Sequence, residues 1–308
     1  MKTLSENSVI RTQLAKIAFG APIRHAGLTV VPLIALNMDV PNWLLLEEAL
    51  LAGCVDITEI SSAASVSMLR LTNHGNRAVL LLDGEELVGA KQNRVLNTTI
   101  IAAGHQTVEI PVSCVEQGRW AYRSKTFRSS GRSLYASVRR QKLEDVHYSL
   151  LRLRRHVSNQ GALWSKLADR ATQLKIQSPT GAMGDVFDCY SETLAVCRTV
   201  FAAQSGQVGA LVYLGSKWSG LEVLAGPRIF ANAWPRLLSG YVMDAVEADV
   251  VDSPGARACN ELRAVLEAEA EVFPGVGLGE EYRFHDRGVV GAALVAEETL
   301  AHLAAFPG

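Results

Sequence analysis

The sequence lacks any close pair of cysteines. Its five cysteines are Cys54, Cys114, Cys189, Cys197 and Cys259, an odd number with no CxxC spacing. A disulfide framework needs paired cysteines, and a zinc ribbon needs closely spaced ones. Both classes are therefore disfavoured, and the cysteine usage fits a reducing cytoplasm.

Long apolar runs are also missing. The most apolar stretches, "VLLLDGEELV" and "LAVCRTVFAA", are interrupted well short of the roughly 18 residues that a membrane-spanning helix needs. The first residues contain no basic start followed by an apolar core, so they do not resemble a signal peptide. We expect a soluble, cytoplasmic protein with no membrane partner.

The sequence contains no recognisable metal or cofactor motif. HExxH and comparable histidine spacings do not occur, which disfavours a zinc enzyme. The stretch "GVGLGEEY" at 275–282 precedes a predicted strand instead of joining a strand to a helix. It is therefore neither a dinucleotide fingerprint nor a phosphate-binding loop. The cofactor is unknown from the sequence, and no metal site is predicted.

Charge is unevenly distributed along the chain. The formal net charge is -1 for 308 residues, yet residues 119–179 contain fourteen Lys or Arg against three Asp or Glu, and residues 180–308 contain eight against seventeen. An anion-binding surface would explain the basic middle, and so would basic helices docked on the acidic part of the same molecule. We favour the internal pairing.

Hydrophobic periodicity predicts an α+β protein. Residues 1–118 contain short apolar runs separated by turns with Gly, Asn and Asp, which favour an antiparallel sheet meander. Residues 119–179 are predicted to be a basic helical segment, with a linker over 175–184. Residues 180–308 are predicted to be an acidic α+β part in which strand hairpins pack with helices. The length also permits a single large domain.

Two polar blocks interrupt the strand-rich region, at 91–94 and 116–119. If the chain turns at 104–105, antiparallel register places Asn93 opposite Glu116. Four consecutive polar residues in a strand put hydrogen-bonding groups on both faces, which is costly unless one face meets water or a ligand. We therefore expect the two blocks to touch, and their shared surface to be open to solvent.

This set of residues suits a small anionic ligand. Arg and Lys bind phosphate or carboxylate groups, and Asn and Gln hydrogen-bond amides or sugar hydroxyls. The candidate catalytic residue is Glu116. The candidate ligand-binding residues are Lys91, Gln92, Asn93, Arg94, Gln117 and Arg119. The alternative is a structural network whose polar groups satisfy one another and fix the strand register.

Three further features have weaker interpretations. Cys114 would be a nucleophile only beside a histidine, and buried packing is the more common role. Glu85 and Glu86 offer carboxylates for acid–base chemistry or a cation, but a Glu pair beside a turn is usually solvated.

The basic run 119–140 interleaves Arg and Lys with aromatic residues such as Trp120. It would suit nucleic acid or an extension of the anion site, and nucleic acid is disfavoured.

Several segments resemble a known family. Two segments match specifically in residue identity and spacing, "GEELVGAKQNRVLNTTI" and "IPVSCVEQGRW". Three others match less specifically, "NQGALWSKL", "QVGALVYLG" and "GAALVAEETLAHLAAF". Together they resemble the ARG and rhodanese-phosphatase-superfamily-associated protein domain. The resemblance implies a contextual link to ADP-ribosylglycohydrolases and rhodanese-like phosphatases, and so to ADP-ribose or NAD-derived metabolites. It assigns no catalytic residue.

These observations lead to one main functional hypothesis. The protein is expected to bind a small anionic nucleotide-like or sugar-phosphate-like metabolite, and whether it also transforms that metabolite stays open. The alternative is a non-catalytic interaction module that docks a partner protein or nucleic acid through the basic segment 119–155. A homo-oligomer is compatible with both hypotheses.

Overall fold

The computed structural model describes residues 2–35, 41–60, 67–246 and 258–308. The strands are β1 Lys2–Thr3, β2 Ala18–Phe19, β3 Ile23–His25, β4 Leu28–Ile34, β5 Leu44–Leu45, β6 Val55–Glu59, β7 Met68–Asn73, β8 Val79–Leu81, β9 Glu85–Gly89, β10 Arg94–Leu96, β11 Ile100–Ala102, β12 Thr107–Cys114, β13 Phe127–Ser133, β14 Gln207–Leu214, β15 Lys217–Leu224, β16 Glu269–Pro274, β17 Glu280–Asp286, β18 Val289–Ala296 and β19 Thr299–Pro307. The α-helices are α1 Ser8–Leu14, α2 Leu46–Leu51, α3 Ala136–Leu153, α4 Gln160–Gln173, α5 Met183–Cys189, α6 Ser191–Val200, α7 Pro227–Ala245 and α8 Ala258–Glu267.

Two large antiparallel sheets organise the chain. The first has ten strands in the order β1-β16-β17-β18-β19-β15-β14-β4-β2, with β3 also paired to β4. The second has the order β13-β9-β10-β12-β7-β6, and β11-β8-β5 form a small third sheet. The class is α+β, as the sequence predicts. Because β4 pairs with β14, the first and last predicted parts of the chain share one sheet, and their division into parts stays a prediction.

Glycine-containing turns set the two predicted C-terminal hairpins. β14 and β15 pair with Leu214 opposite Lys217, and β17 and β18 pair with Asp286 opposite Val289. Gly215 has φ 54° in the first turn, a left-handed backbone that glycine adopts without steric cost. The strand hairpins predicted within residues 180–308 are therefore confirmed.

The middle of the chain is helical only from Ala136 onwards. Residues 154–159 separate α3 from α4, and residues 174–182 lie between α4 and α5, where the linker over 175–184 is predicted. The prediction of helix is wrong for residues 127–133, which form β13 and pair with β9. "FRSSGRS" has too few apolar residues to show strand alternation, so its partner strand decides its conformation.

Helix α7 contacts both large sheets. It packs on β13 of the six-stranded sheet and on β14 of the ten-stranded sheet. Phe230, Trp234 and Tyr241 bury its apolar face in the largest core cluster. A Cβ atom at Gly240 would lie 2.5 Å from the carbonyl oxygen of Leu134. Glycine there allows the close approach of the helix to the chain that precedes α3.

Buried charges join α3 to both halves of the fold. Arg139 of α3 places Nη1 2.6 Å from Glu222 Oε1 on β15, and Nε 3.4 Å from Asp83 Oδ2 before β9. Lys142, one turn further, also contacts Asp83 and donates to the carbonyl oxygen of Leu96 at 3.0 Å. The four charged side chains are almost fully buried. The basic middle thus meets the acidic end within one chain, as the favoured explanation of the charge asymmetry requires.

The substitution Arg139→Met tests this buried cluster. It leaves Asp83 and Glu222 without their shared cation, and breaking a buried ion pair costs about 3–5 kcal/mol. Urea denaturation should show a loss of that size in the free energy of unfolding. The matched control is Arg140→Met, because Arg140 is partly exposed and pairs with Glu144 at 3.8 Å; we expect a loss below about 1 kcal/mol. Equal losses in the two variants would contradict a special role for Arg139.

Candidate functional site

Strands β10 and β12 bring the two predicted polar blocks together. They pair antiparallel with Arg94 opposite Cys114 and Val95 opposite Ser113, one residue away from the predicted register. The chain turns at 104–105 as expected. The connection is longer than a simple hairpin, because β11 leaves the six-stranded sheet to pair with β8. The blocks are neighbours, and the functional roles of their residues stay predictions.

Glu116 is the central residue of the assembled blocks. Its Oε2 accepts a hydrogen bond from the backbone N–H of Asn93 at 3.1 Å and lies 2.7 Å from Arg119 Nη2. Its Oε1 accepts from Thr180 Oγ1 at 3.0 Å. Burial alone would raise the pKa of Glu116, but these donors outweigh it and the pKa lies below its ordinary value. A carboxylate held ionised in this way is a fixed counter-ion and a poor proton donor or acceptor.

Most donors of the other inner residues are hydrogen-bonded to protein atoms, and Arg94 Nε and Arg119 Nε have no hydrogen-bond partner among the described residues. Gln92 Nε2 donates to the carbonyl oxygen of Glu116 at 3.0 Å, and Arg94 Nη1 donates to Gln92 Oε1 at 2.9 Å. Arg119 Nη1 donates to the carbonyl oxygens of residues 90 and 121. The expectation of a shared surface open to solvent is wrong for the buried members Gln92, Asn93, Arg94, Glu116 and Arg119. For these five, the contacts favour the structural alternative.

An exposed surface borders this network. We call it the aromatic rim, and it consists of Lys91, Trp120, Tyr122 and Arg123. Lys91 Nζ lies 5.3 Å from the ring centre of Trp120 and 5.1 Å from that of Tyr122, a cation–π geometry. The two aromatic residues are 59% and 65% exposed, and the Arg123 side chain is 63% exposed. The rim therefore presents flat apolar faces beside two cations.

Glu59 and Gln117 complete the surroundings of the rim. Glu59 Oε2 accepts a hydrogen bond from Tyr122 Oη at 3.1 Å and lies 3.7 Å from Lys91 Nζ. Gln117 is exposed, so it is the predicted ligand-binding amide that remains accessible. Sequence reasoning missed Glu59 and Thr180, because each reaches the site from a distant strand or loop and no local pattern marks it.

The Glu85 and Glu86 pair is buried, so the expectation of a solvated pair is wrong. Glu85 lies 2.6 Å from Arg236 Nη1 of α7 and accepts from Ser129 Oγ at 3.0 Å. Neither carboxylate oxygen of Glu86 has a hydrogen-bond partner among the described residues. Burial raises the pKa of Glu86 to about 7, against the lowering influence of Ser130 and Arg132. Glu86 is therefore the carboxyl group near the site whose protonation changes around neutral pH.

Cys114 is a further sequence candidate beside this site. The Cys114 thiol is buried and contacts the backbone of Glu116. Burial raises the pKa of the thiol, which favours packing over nucleophilic attack.

Within the described ranges, no group of three or more His, Cys, Asp or Glu side chains is placed to hold a metal ion. None of the helices in those ranges is long and apolar enough to cross a membrane.

Comparison with known proteins identifies a family and nothing narrower. Residues 16–306 match the family model described as the ARG and Rhodanese-Phosphatase-superfamily-associated Protein domain, which confirms the resemblance seen in the sequence. No curated protein and no solved structure matches the chain. The geometry of the site is therefore the main evidence for function.

The substitution Glu116→Gln distinguishes a structural network from a ligand site. It keeps the shape of the side chain but leaves Arg119 buried without its carboxylate, and we expect a loss of about 3 kcal/mol or more in the free energy of unfolding. The neighbouring control Gln117→Ala changes an exposed amide and should stay within about 0.5 kcal/mol of the wild type. Chemical denaturation measures both values. A Glu116→Gln variant of native stability would show that the network does not hold the fold.

The substitution Glu86→Gln tests the isolated buried carboxyl. The pKa is raised from 4.5 in the unfolded chain to about 7 in the folded one. Between these values the unfolded chain loses its proton first, so the wild type loses stability as the pH rises. The amide does not titrate, so the variant should gain about 2.5 kcal/mol relative to the wild type between about pH 5 and about pH 8. Denaturation at both pH values measures this, with the exposed Glu109→Gln as control; a constant difference would contradict it.

Proposed function

The chain belongs to the ARG and rhodanese-phosphatase-superfamily-associated protein domain family, and we propose that it binds a small anionic nucleotide-like or sugar-phosphate-like metabolite at the aromatic rim. The observation that carries the proposal is the exposed pair Trp120 and Tyr122 beside the cations Lys91 and Arg123. Exposed aromatic residues that lie side by side, as these two do around Lys91, are typical of surfaces that bind a partner or ligand.

The chemistry of the rim suits a ligand with a flat ring and a negative charge. Stacking of a base on an aromatic side chain contributes about 1–3 kcal/mol. Arg123 is exposed and only distantly paired with Glu116, at 3.8 Å, so its guanidinium is available to a phosphate. The exposed amide of Gln117 adds a group that hydrogen-bonds sugar hydroxyls or ring nitrogens. The link to ADP-ribosylglycohydrolases that the sequence resemblance implies makes ADP-ribose and NAD the first ligands to test.

The buried network holds the backbone of the loops that carry the aromatic rim. Arg119 donates to the carbonyl oxygens of Ala90 and Ala121, and the backbone N–H of Arg123 donates to Ala90 at 3.0 Å. These bonds fix the two loops that present Lys91 and Trp120. A site whose backbone is fixed before binding loses less conformational entropy when the ligand arrives. The predicted site residues thus form two groups. The buried ones hold the backbone in place, and the accessible ones face the solvent beside the aromatic rim.

A second function is favoured by the exposed end of α3. Leu151 and Leu153 are exposed there beside Arg152, Arg154 and Arg155. Such a surface suits a protein partner or nucleic acid, the interaction-module alternative. Salt separates the two functions, because contact with many phosphates weakens steeply with added salt, whereas a rim with two cations responds modestly.

A thermal-shift screen with ADP-ribose, NAD, nucleotides and sugar phosphates tests the main proposal. A selective ligand at about 100 times its Kd stabilises the folded form by about 2.7 kcal/mol. Calorimetry should then show that Trp120→Ala and Arg123→Ala each weaken binding about tenfold, a change of about 1.4 kcal/mol.

The control is Arg152→Ala, which removes an exposed arginine on α3 and should leave the affinity for the metabolite unchanged. No stabilisation by any compound of the screen would overturn the proposal. So would a ligand whose affinity is the same in both rim variants and the wild type.

A further inference from the structure

A buried carboxyl group of β9 lies next to α5 without a hydrogen bond. Glu86 is fully buried, and neither of its carboxylate oxygens has a hydrogen-bond partner among the described residues. Polar groups in a protein interior are almost always hydrogen-bonded, and an ionised carboxylate there needs a cation or water. In this arrangement Glu86 is therefore far more stable as the neutral acid than as the carboxylate.

The cation that faces Glu86 is Arg132 of β13, and it is bound to α5 instead. Arg132 Nη1 donates to the carbonyl oxygen of Gly184 at 3.0 Å, and Nη2 pairs with Asp188. The guanidinium carbon also lies 5.6 Å from the ring centre of Phe187, a cation–π geometry. These three contacts attach α5 to β13.

Gly184 leaves the space between Arg132 and Glu86 open. A Cβ atom at residue 184 would lie 2.8 Å from Arg132 Nη1 and 3.9 Å from Glu86 Oε1. The guanidinium and the carboxyl group therefore approach the same point from two strands, and glycine places no side chain there. A movement of the Arg132 side chain alone is enough to bring the two groups together.

Three other titratable groups influence the ionisation of Glu86, and none of them is a cation. They are Asp188 on α5, Glu116 after β12 and Tyr135 before α3. The charges of Asp188 and Glu116 both disfavour a further negative charge on Glu86. Burial raises the pKa of Tyr135, so its hydroxyl stays neutral. An ionised Glu86 would thus depend on Arg132.

We propose that Arg132 exchanges partners when Glu86 loses its proton to the solvent, leaving Asp188 on the surface and pairing with Glu86 inside. The Asp188 side chain is 65% exposed, so its pair with Arg132 contributes little, whereas an unpaired buried carboxylate is strongly destabilising. Burial raises the pKa of Glu86 from 4.5 to about 7. Arg132 therefore attaches α5 to β13 in mildly acidic solution, and the exchange frees the end of α5 above neutral pH. This switch does not require a ligand at the aromatic rim.

Carboxyl-carbon NMR of the full chain, titrated from about pH 5 to about pH 8, follows both carboxylates at once. The Glu86 resonance should show its step at or below about pH 7, because the arriving cation favours the ionised form. The Asp188 resonance should shift at the same midpoint, since it loses its guanidinium there. Glu86→Gln should remove that shift. The control is Asp169, an exposed carboxylate on α4 that should show no step in this range.

A pair of substitutions separates the exchange from direct repulsion between the two carboxylates. Asp188→Asn should lower the pKa of Glu86 by about 1, because it frees the guanidinium for Glu86. The same substitution made together with Arg132→Gln should change that pKa far less. Equal lowering with and without Arg132 would overturn the proposal, and so would an Asp188 resonance that stays fixed while Glu86 titrates. If the Arg132→Gln variant fails to fold, the Asp188 resonance of the wild type still decides.

Discussion

The position of Arg139 between Asp83 and Glu222 is the constraint on which the other features depend. A guanidinium that is 1% exposed requires nearby carboxylates, and these two come from the turn before β9 and from β15. Pairing Arg139 with both carboxylates places α3 against the ten-stranded sheet. The same pairing fixes the start of β9. Glu222, ionised by this contact, is then available to orient His302. One buried cation therefore links the packing of α3 to the position of His302 on β19.

In the two polar blocks at 91–94 and 116–119, the buried residues and the exposed residues have different roles. A buried ionic network stabilises a particular arrangement of loops more than it attracts a ligand, because its charges are already matched. Glu116 and Arg119 act in this way, and their partners are mostly backbone atoms of the loops that carry Lys91 and Trp120. Binding and structural interpretations of these residues are therefore compatible. The inner residues hold the backbone, and the outer ones meet the solvent.

Much of the fold follows from local patterns, and the departures have long-range causes. Turn residues predicted both C-terminal hairpins, and simple counting placed the two polar blocks within one residue of their observed register. The burial of Glu85 could not be predicted locally, because its cation, Arg236, follows about 150 residues later on α7. β13 was missed for a similar reason, since its conformation is set by pairing with β9. A pattern in one segment reports the period of that segment and not the identity of its partner.

A buried row of three side chains lies beyond what local patterns predict: Thr99 Oγ1 lies 2.7 Å from His302 Nδ1, and His302 Nε2 lies 2.8 Å from Glu222 Oε2. His302 appears in the sequence as one polar residue within an apolar strand, "TLAHLAAF", and such a histidine is only stable if groups on both sides satisfy its ring nitrogens. That condition demands a donor and an acceptor but does not say which of the other polar residues supply them. β15 places Glu222 beside one ring nitrogen because it pairs with β19. Lys142 and Asp83 hold the chain after β10 so that Thr99 lies at the other. The row is thus a consequence of sheet order, which local composition does not encode.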